Sequence, residues 1–300
     1  MMKKTKNGFS LIELSIVILI ASIFASSMIN ILGKKTLVDK NTEAKEKLAR
    51  IGEALKVYYG EHGDVTARNY LPCPADLRFN LENADLGRGS SKPCSFVTDT
   101  DGATNVISGA VPVLELGLAP QYMFDPWGNQ ITYIVDKDLT ADSETAWTDS
   151  TISNISLLDG RSTPPTPSLP LVKRLPLASE LNKTYTLCDG TSLAVSTYND
   201  TIPDCPAFLL ISHGANGYLS FNSAGIQKQS SFGMTPNEIE NNQWKDSQNF
   251  NNVFVSAPLN QDTKVTNINS SSYFDDILYY KSMSYFTGET PAAGTCTLGC

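Results

Sequence analysis

The residues with the clearest chemical consequence stand at the start of the chain. Gly8 follows Lys3, Lys4 and Lys6, and Phe9 opens an apolar run to Leu32 in which Glu13 is the one ionisable side chain. A secretory signal places its small-residue cleavage site after the apolar core; here the small residue comes first. A cut after Gly8 would remove a basic octapeptide and leave the apolar run on the mature chain with a free α-amine at Phe9. Glu13 calls for a partner, because a carboxylate in hydrocarbon costs at least ~2.5 kcal/mol even on the lenient insertion scale. The new amine is a suitable countercharge. On its own helix it lies about one turn away and points along the axis, whereas the amine of a neighbouring copy reaches Glu13 more naturally.

The rest of the chain is poor in catalytic groups. There are two histidines, His62 and His213. Ser212 and His213 are adjacent, so on a strand they point to opposite faces and make a poor nucleophile–base pair. His62 follows a helix end and reads as an exposed residue. No nucleophile elbow, paired-histidine zinc motif or phosphate-cradling glycine loop is present. The sequence does not read as an enzyme.

The elements that must position these groups begin with a helix. Residues 9–32 as a helix span roughly 36 Å at 1.5 Å per residue, enough for a ~30 Å hydrocarbon core. The helical pattern then continues through Leu37, Ala44, Leu48, Ile51, Leu55 and Tyr58, an apolar stripe flanked by charged residues that include the i,i+4 pairs Glu43–Lys47 and Glu46–Arg50. The spacing predicts one helix from about Phe9 to Tyr59, stopping at Gly60, with Gly33 at the joint between an apolar and an amphipathic half. Residues 70–110 read as loop. Asp125-Pro126-Trp127-Gly128-Asn129 is turn chemistry before a strand at Ile131–Val135. Residues 138–206 read as an insertion with a Pro-rich linker at 163–167. Strands are expected at Ala207–Ser212 and Tyr218–Phe221, joined as a hairpin about Asn216-Gly217, at Val253–Ser256, and at Phe274–Tyr280. Trp127, beside Gly128, is expected to anchor packing against the helix stripe.

Charged residues at 18%, hydrophobic ones at 41% and a net charge of −8 fit a globular body and argue against a nucleic-acid surface. The six cysteines, in a chain that exports its body, read as disulfides. Nearest-neighbour pairing, Cys73–Cys94, Cys188–Cys205 and Cys296–Cys300, is the simplest of the alternatives. Zinc competes poorly, since paired C-x-x-C knuckles are lacking. Lysines flank both ends of the apolar run, so charge alone orients it weakly. The cysteines favour a cytoplasmic N-terminus and a body outside.

Lys-x-x-Gly8 followed by Phe9-Ser10-Leu11-Ile12-Glu13-Leu14 resembles the N-terminus of type IV prepilins and type II secretion pseudopilins. The resemblance implies cleavage after Gly8 by a prepilin peptidase that also N-methylates Phe9. It implies assembly through Glu13 and Phe9 with other pilin or pseudopilin subunits, on an inner-membrane assembly platform. It also places the chain in the inner membrane as a single pass, body periplasmic, and then in a filament. Three islands, Asp125-x-Trp127-Gly128-Asn129 with Tyr133, Ser212-x-Gly214-x-Asn216-Gly217 and Asp275-Asp276-Ile277, resemble in order the globular domain of the major pseudopilin. That resemblance implies a calcium site, here drawing on Asn216, Asp275 and Asp276; the competing reading is a hairpin turn and two acids flanking a strand.

The expected architecture is α+β: a leader at 1–8, an apolar half-helix at 9–32, an amphipathic half-helix at 33–60, and a body at 61–300. In that body the helix packs on an antiparallel sheet of about four strands with large disulfide-pinned loops. The expected function is a structural filament subunit, and the bulky body points to a minor one. The alternative is a ligand-binding module, an adhesin or DNA receptor, at a filament tip.

Overall fold

The computed structural model describes residues 11–62, 69–80, 82–89, 94, 106–140, 155–159, 173–174, 184–186, 192–194, 202–203, 206–228, 238, 241, 253–257, 259, 273–282 and 284–287. Among these, the side chains of 13, 24–34, 138, 156, 158–159, 173–174, 184–186, 192–194, 202–203, 253, 284 and 287 are outside the description. The chain divides into two units, Met1–Glu43 and Ala44–Cys300.

Helix α1 runs Leu11–Glu61 without a break at Gly33. In the first unit its described apolar side chains over Leu11–Ile23 are exposed, from Leu11 at 86% to Ile20 at 48%, while Leu37 is half-buried. The hydroxyls of Ser15 and Ser22 donate back to the carbonyls of Ile12 and Leu19. No helix among the described residues is long and apolar enough to cross a membrane. The expected span at 9–32 includes Phe9, Ser10 and the side chains of 24–32, which lie outside the description.

In the second unit the predicted stripe is the core face of α1. Ala44, Leu48, Ile51 and Leu55, at spacings of four, three and four, are fully buried. The helix ends one residue past Gly60. His62 closes it, its backbone N–H donating to the Tyr58 carbonyl at 3.0 Å and its ring stacking on Tyr58 with centroids 3.8 Å apart. His62 is therefore half-buried, against the expectation of exposure.

The body is built on one four-stranded antiparallel sheet, as expected. Its strands are β1 (Val106–Ala110), β2 (Thr132–Asp136), β8 (Pro206–Ser212) and β10 (Ile277–Ser282), in the order β1-β2-β8-β10. Val106 faces Asp136, Thr132 faces Ile211, and Ile277 faces Ser212. The two central strands, buried along their length, carry the continuous apolar runs Tyr133–Val135 and Ala207–Ile211. A short helix, α2 (Ser284–Thr287), brings Phe286 against Tyr59 and Phe208, at centroid distances of 5.0 and 5.7 Å.

Two expectations fail for tertiary reasons. The hairpin between Ala207–Ser212 and Tyr218–Phe221 does not form. Strand β8 pairs with β2 on one side and β10 on the other, so no edge is left for residues 218–221; they form turns, with one bridge from Phe221 to Gln227. Conversely, β1 lies inside the stretch read as loop. Ser108 and Gly109 are weak strand formers, but a Cβ at Gly109 would run into the Ala75 carbonyl oxygen. Glycine lets the Ala75 backbone pair with Ala110 there.

The insertion contributes β3 (Ser156–Asp159), β4 (Lys173–Arg174), β5 (Thr184–Thr186), β6 (Ser192–Ala194) and β7 (Ile202–Pro203). Strands β4 and β7 pair, as do β5 and β6, while β3 pairs in parallel with β9 (Val253–Ser256). Cys73 and Cys94 form a disulfide with Cα atoms 5.5 Å apart. Cys188, Cys205, Cys296 and Cys300 lie outside the described residues.

Candidate functional site

The three islands singled out in the sequence converge at one end of the sheet. Asp125 opens the turn before β2, with Gly128 N–H donating to its carbonyl. Its carboxylate, 3% exposed, gathers the backbone N–H groups of Trp127 and Asn129 on Oδ1, at 3.0 and 2.9 Å. On Oδ2 it accepts from Asn129 Nδ2 at 3.1 Å and from the Ser212 hydroxyl at 2.9 Å. Burial pushes its carboxyl above the usual range, and these four donors work against that shift. Asn129 Nδ2 also donates to the Gly214 carbonyl at 2.8 Å, which ties the turn to the loop after β8. Trp127 is half-buried at the margin of the core and Gly128 takes a positive φ of 82°.

The loop after β8 meets the acids that precede β10. Asp275 Oδ2 accepts from the Asn216 backbone N–H at 2.9 Å and the Tyr273 hydroxyl at 3.0 Å. Asn216 Nδ2 donates to Glu238 Oε1 at 3.0 Å, while its Oδ1 accepts from the Tyr218 N–H at 2.9 Å. Gly214 makes this approach feasible: its φ is 58°, and a Cβ would meet the backbone carbonyl and carboxyl of Asp275. Asp276 faces elsewhere. It accepts from Asn241 Nδ2 at 3.0 Å and lies 3.8 Å from His213 Nδ1, whose Nε2 meets the Thr132 hydroxyl at 2.8 Å.

Electrostatically, Asp275 and Glu238 form a buried acidic pair, at 0% and 2% exposure. Burial holds the Asp275 carboxyl above its usual range, against bonds from Asn216, Tyr273, Glu238 and Ala215. Carboxyls in such contact share a proton or take a cation. Asp275 Oδ1 is buried without a hydrogen-bond partner. Calcium takes six to eight oxygens, and the described residues supply part of such a set. Asn216 Oδ1 is engaged, Asp276 turns away from Asp275, and no metal-holding group of three or more acids, histidines or cysteines occurs among the described residues.

Ser212 and His213 do not address one another. The Ser212 hydroxyl goes to Asp125 and the His213 ring goes to Thr132 and Asp276, all buried. Glu238 and Asn241 are site residues that sequence reasoning missed, because they sit in a polar, Asn/Ser-rich stretch with no periodicity. Gly8 and Phe9 lie outside the described residues. Glu13 lies near the start of α1, its side chain outside the description.

Residues 3–29 match the family described as the prokaryotic N-terminal methylation motif, the class III leader of type IV prepilins and pseudopilins. The match spans the basic leader, Gly8, Phe9, Glu13 and most of the apolar run. No curated protein and no solved structure matches the chain.

Proposed function

We propose that the chain is a structural subunit of a type IV pilus or type II secretion pseudopilus, cut after Gly8 and N-methylated on Phe9 before assembly. The observation that carries this reading is the methylation motif at 3–29; from Leu11 on its residues begin a helix whose later turns form the core face of an α+β body. Exposed apolar side chains along Leu11–Ile23 favour an environment other than water, first inner-membrane lipid and then neighbouring subunits. Ser15 and Ser22 satisfy their hydroxyls within the helix, as such an environment requires.

In the filament Glu13 pairs with the N-terminal amine of an adjacent Phe9. Apolar burial supplies cohesion and the ion pair sets register. The body lies in the periplasm. Its insertion, with its own strand pairs β4–β7 and β5–β6, favours a minor, tip-proximal position over an abundant subunit. A tip position would also suit a ligand-binding role, and copy number in sheared filaments separates minor from major. Calcium enters only as a proposal, with Asp275 Oδ1 and Glu238 as the carboxylates that would meet it.

N-terminal mass spectrometry of the mature protein tests the class: N-methyl-Phe9 is expected, and Met1 retained on the membrane-bound protein refutes it. Glu13→Val is expected to insert in the membrane but to drop out of filaments; normal incorporation removes the assembly role.

A further inference from the structure

The turn that carries Asn129 lies against the turn that carries Lys228. Lys228 Nζ is 2.5 Å from Asn129 Oδ1, a half-buried amine against a fully buried carboxamide. The amine nitrogen can stand no farther from Asn129 Cγ than that distance plus a C=O bond, about 3.7 Å in all. Reacting atoms in near-attack arrangements sit at about 3–3.5 Å. On the other side of the same carboxamide, Nδ2 contacts Asp125 Oδ2 at 3.1 Å. Burial raises the Asp125 carboxyl, against the hydrogen bonds it accepts, which makes it a better proton acceptor than an exposed carboxylate. Glycine at 217 keeps the meeting point clear. A Cβ there would come within 2.5 Å of Asn129 Oδ1 and within 2.9 Å of both Asn129 Cγ and Lys228 Nζ.

We propose that Lys228 and Asn129 join in an intramolecular isopeptide bond, with Asp125 as the catalytic carboxyl. Lys228 Nζ, as the free amine, attacks Asn129 Cγ. The Nζ–Cγ bond forms and the Cγ–Nδ2 bond breaks. In the tetrahedral adduct, where both nitrogens sit on Cγ, Asp125 Oδ2 takes the proton that Nζ sheds and then gives one to the departing Nδ2, so the carboxyl ends as it began. Ammonia leaves, and takes up as ammonium the proton that the lysine shed in becoming an amine. No oxidant, cofactor or second protein is needed.

The product would close a loop between positions 99 residues apart, enclosing β2, β8 and the whole insertion. It would fasten the turn before β2 to the turn that bridges Phe221 and Gln227. The inference does not depend on the filament reading, since it uses residues of the body alone.

Peptide mapping of the full-length wild-type chain, reduced and digested with trypsin, tests it. Cleavage after Lys228 should be lost. A branched peptide should join the segments holding Asn129 and Lys228, about 17 Da lighter than their sum, the mass of ammonia. Lys228→Arg keeps the charge and the tryptic site but should give two linear peptides. Asp125→Ala should leave the lysine and asparagine unlinked. Wild-type protein that yields linear peptides with unmodified Asn129 and full cleavage after Lys228 overturns the proposal, whatever the variants do. A complete link in Asp125→Ala overturns the assignment of the catalytic carboxyl.

Discussion

Gly214→Ala measures how tightly the loop after β8 is seated on Asp275, and Gly128→Ala is its built-in control. Both glycines hold positive φ, 58° and 82°. A Cβ at Gly128 has nothing within 4 Å, so alanine there meets only the backbone penalty. That penalty is about 1–2 kcal/mol for an L residue in the left-handed region. A gain of about 0.4–1 kcal/mol from the stiffer unfolded chain offsets part of it. The net cost expected for Gly128→Ala is therefore about 0.5–1 kcal/mol.

At Gly214 the same Cβ also collides with the Asp275 carbonyl and comes within 2.5 Å of Cγ and 2.7 Å of Oδ2 of its carboxylate. Backbone on both sides leaves little room to yield. Moving Asp275 loosens the bonds from Asn216 and Tyr273, and moving Gly214 withdraws its carbonyl from Asn129. Overpacking adds about 1–3 kcal/mol and a stranded buried polar group about as much again. The total expected is about 3–5 kcal/mol. Urea unfolding of the detergent-solubilised full-length chain, followed by tryptophan fluorescence, reads both variants. If Gly214→Ala falls within about 0.5 kcal/mol of Gly128→Ala, the close seating of loop on acid is wrong.

Two further predictions concern the acids. Asp125 and Asp275 both titrate above their ordinary range in the folded chain, chiefly through burial, so the folded state binds their protons more tightly. Their contribution to stability is full below the unfolded carboxyl value near ~4 and is lost as pH rises through the raised values. Asp275→Asn should make that decline shallower in urea titrations across this window, and an unchanged slope would remove Asp275 as its source. Calcium is tested by melting temperature. If the acidic pair holds calcium, the protein should melt several degrees higher with calcium than with chelator. Equal values with calcium and chelator would remove the calcium proposal.

Some of this protein was legible from residue order because the interactions involved are local. A small residue between lysines and an apolar run, a lone glutamate in that run and an apolar stripe at helical spacing can each be read from neighbours in the chain. The structure keeps the stripe, with Ala44, Leu48, Ile51 and Leu55 buried. The two inner strands were legible for a similar reason, since continuous β-branched and apolar runs bury wherever the sheet closes over them.

Tertiary pairing decided the rest. Tyr218–Phe221 had the composition of a hairpin partner, but β2 and β10 satisfy both edges of β8 and exclude it. Val106–Ala110 had the composition of a loop, but an open edge on β2 and the close approach of Ala75 at Gly109 make it a strand. The polar site is the extreme case. Glu238, Asn241 and Lys228 carry no periodicity and no motif, and they acquire meaning only from what they touch: Asn216, Asp276 and Asn129. Sequence alone determined the motif at the start of the chain and which helix face is apolar, because both depend on adjacent residues. Only the folded chain determined which polar group meets which, because those partners stand up to 99 residues apart and their contact is a property of the sheet between them.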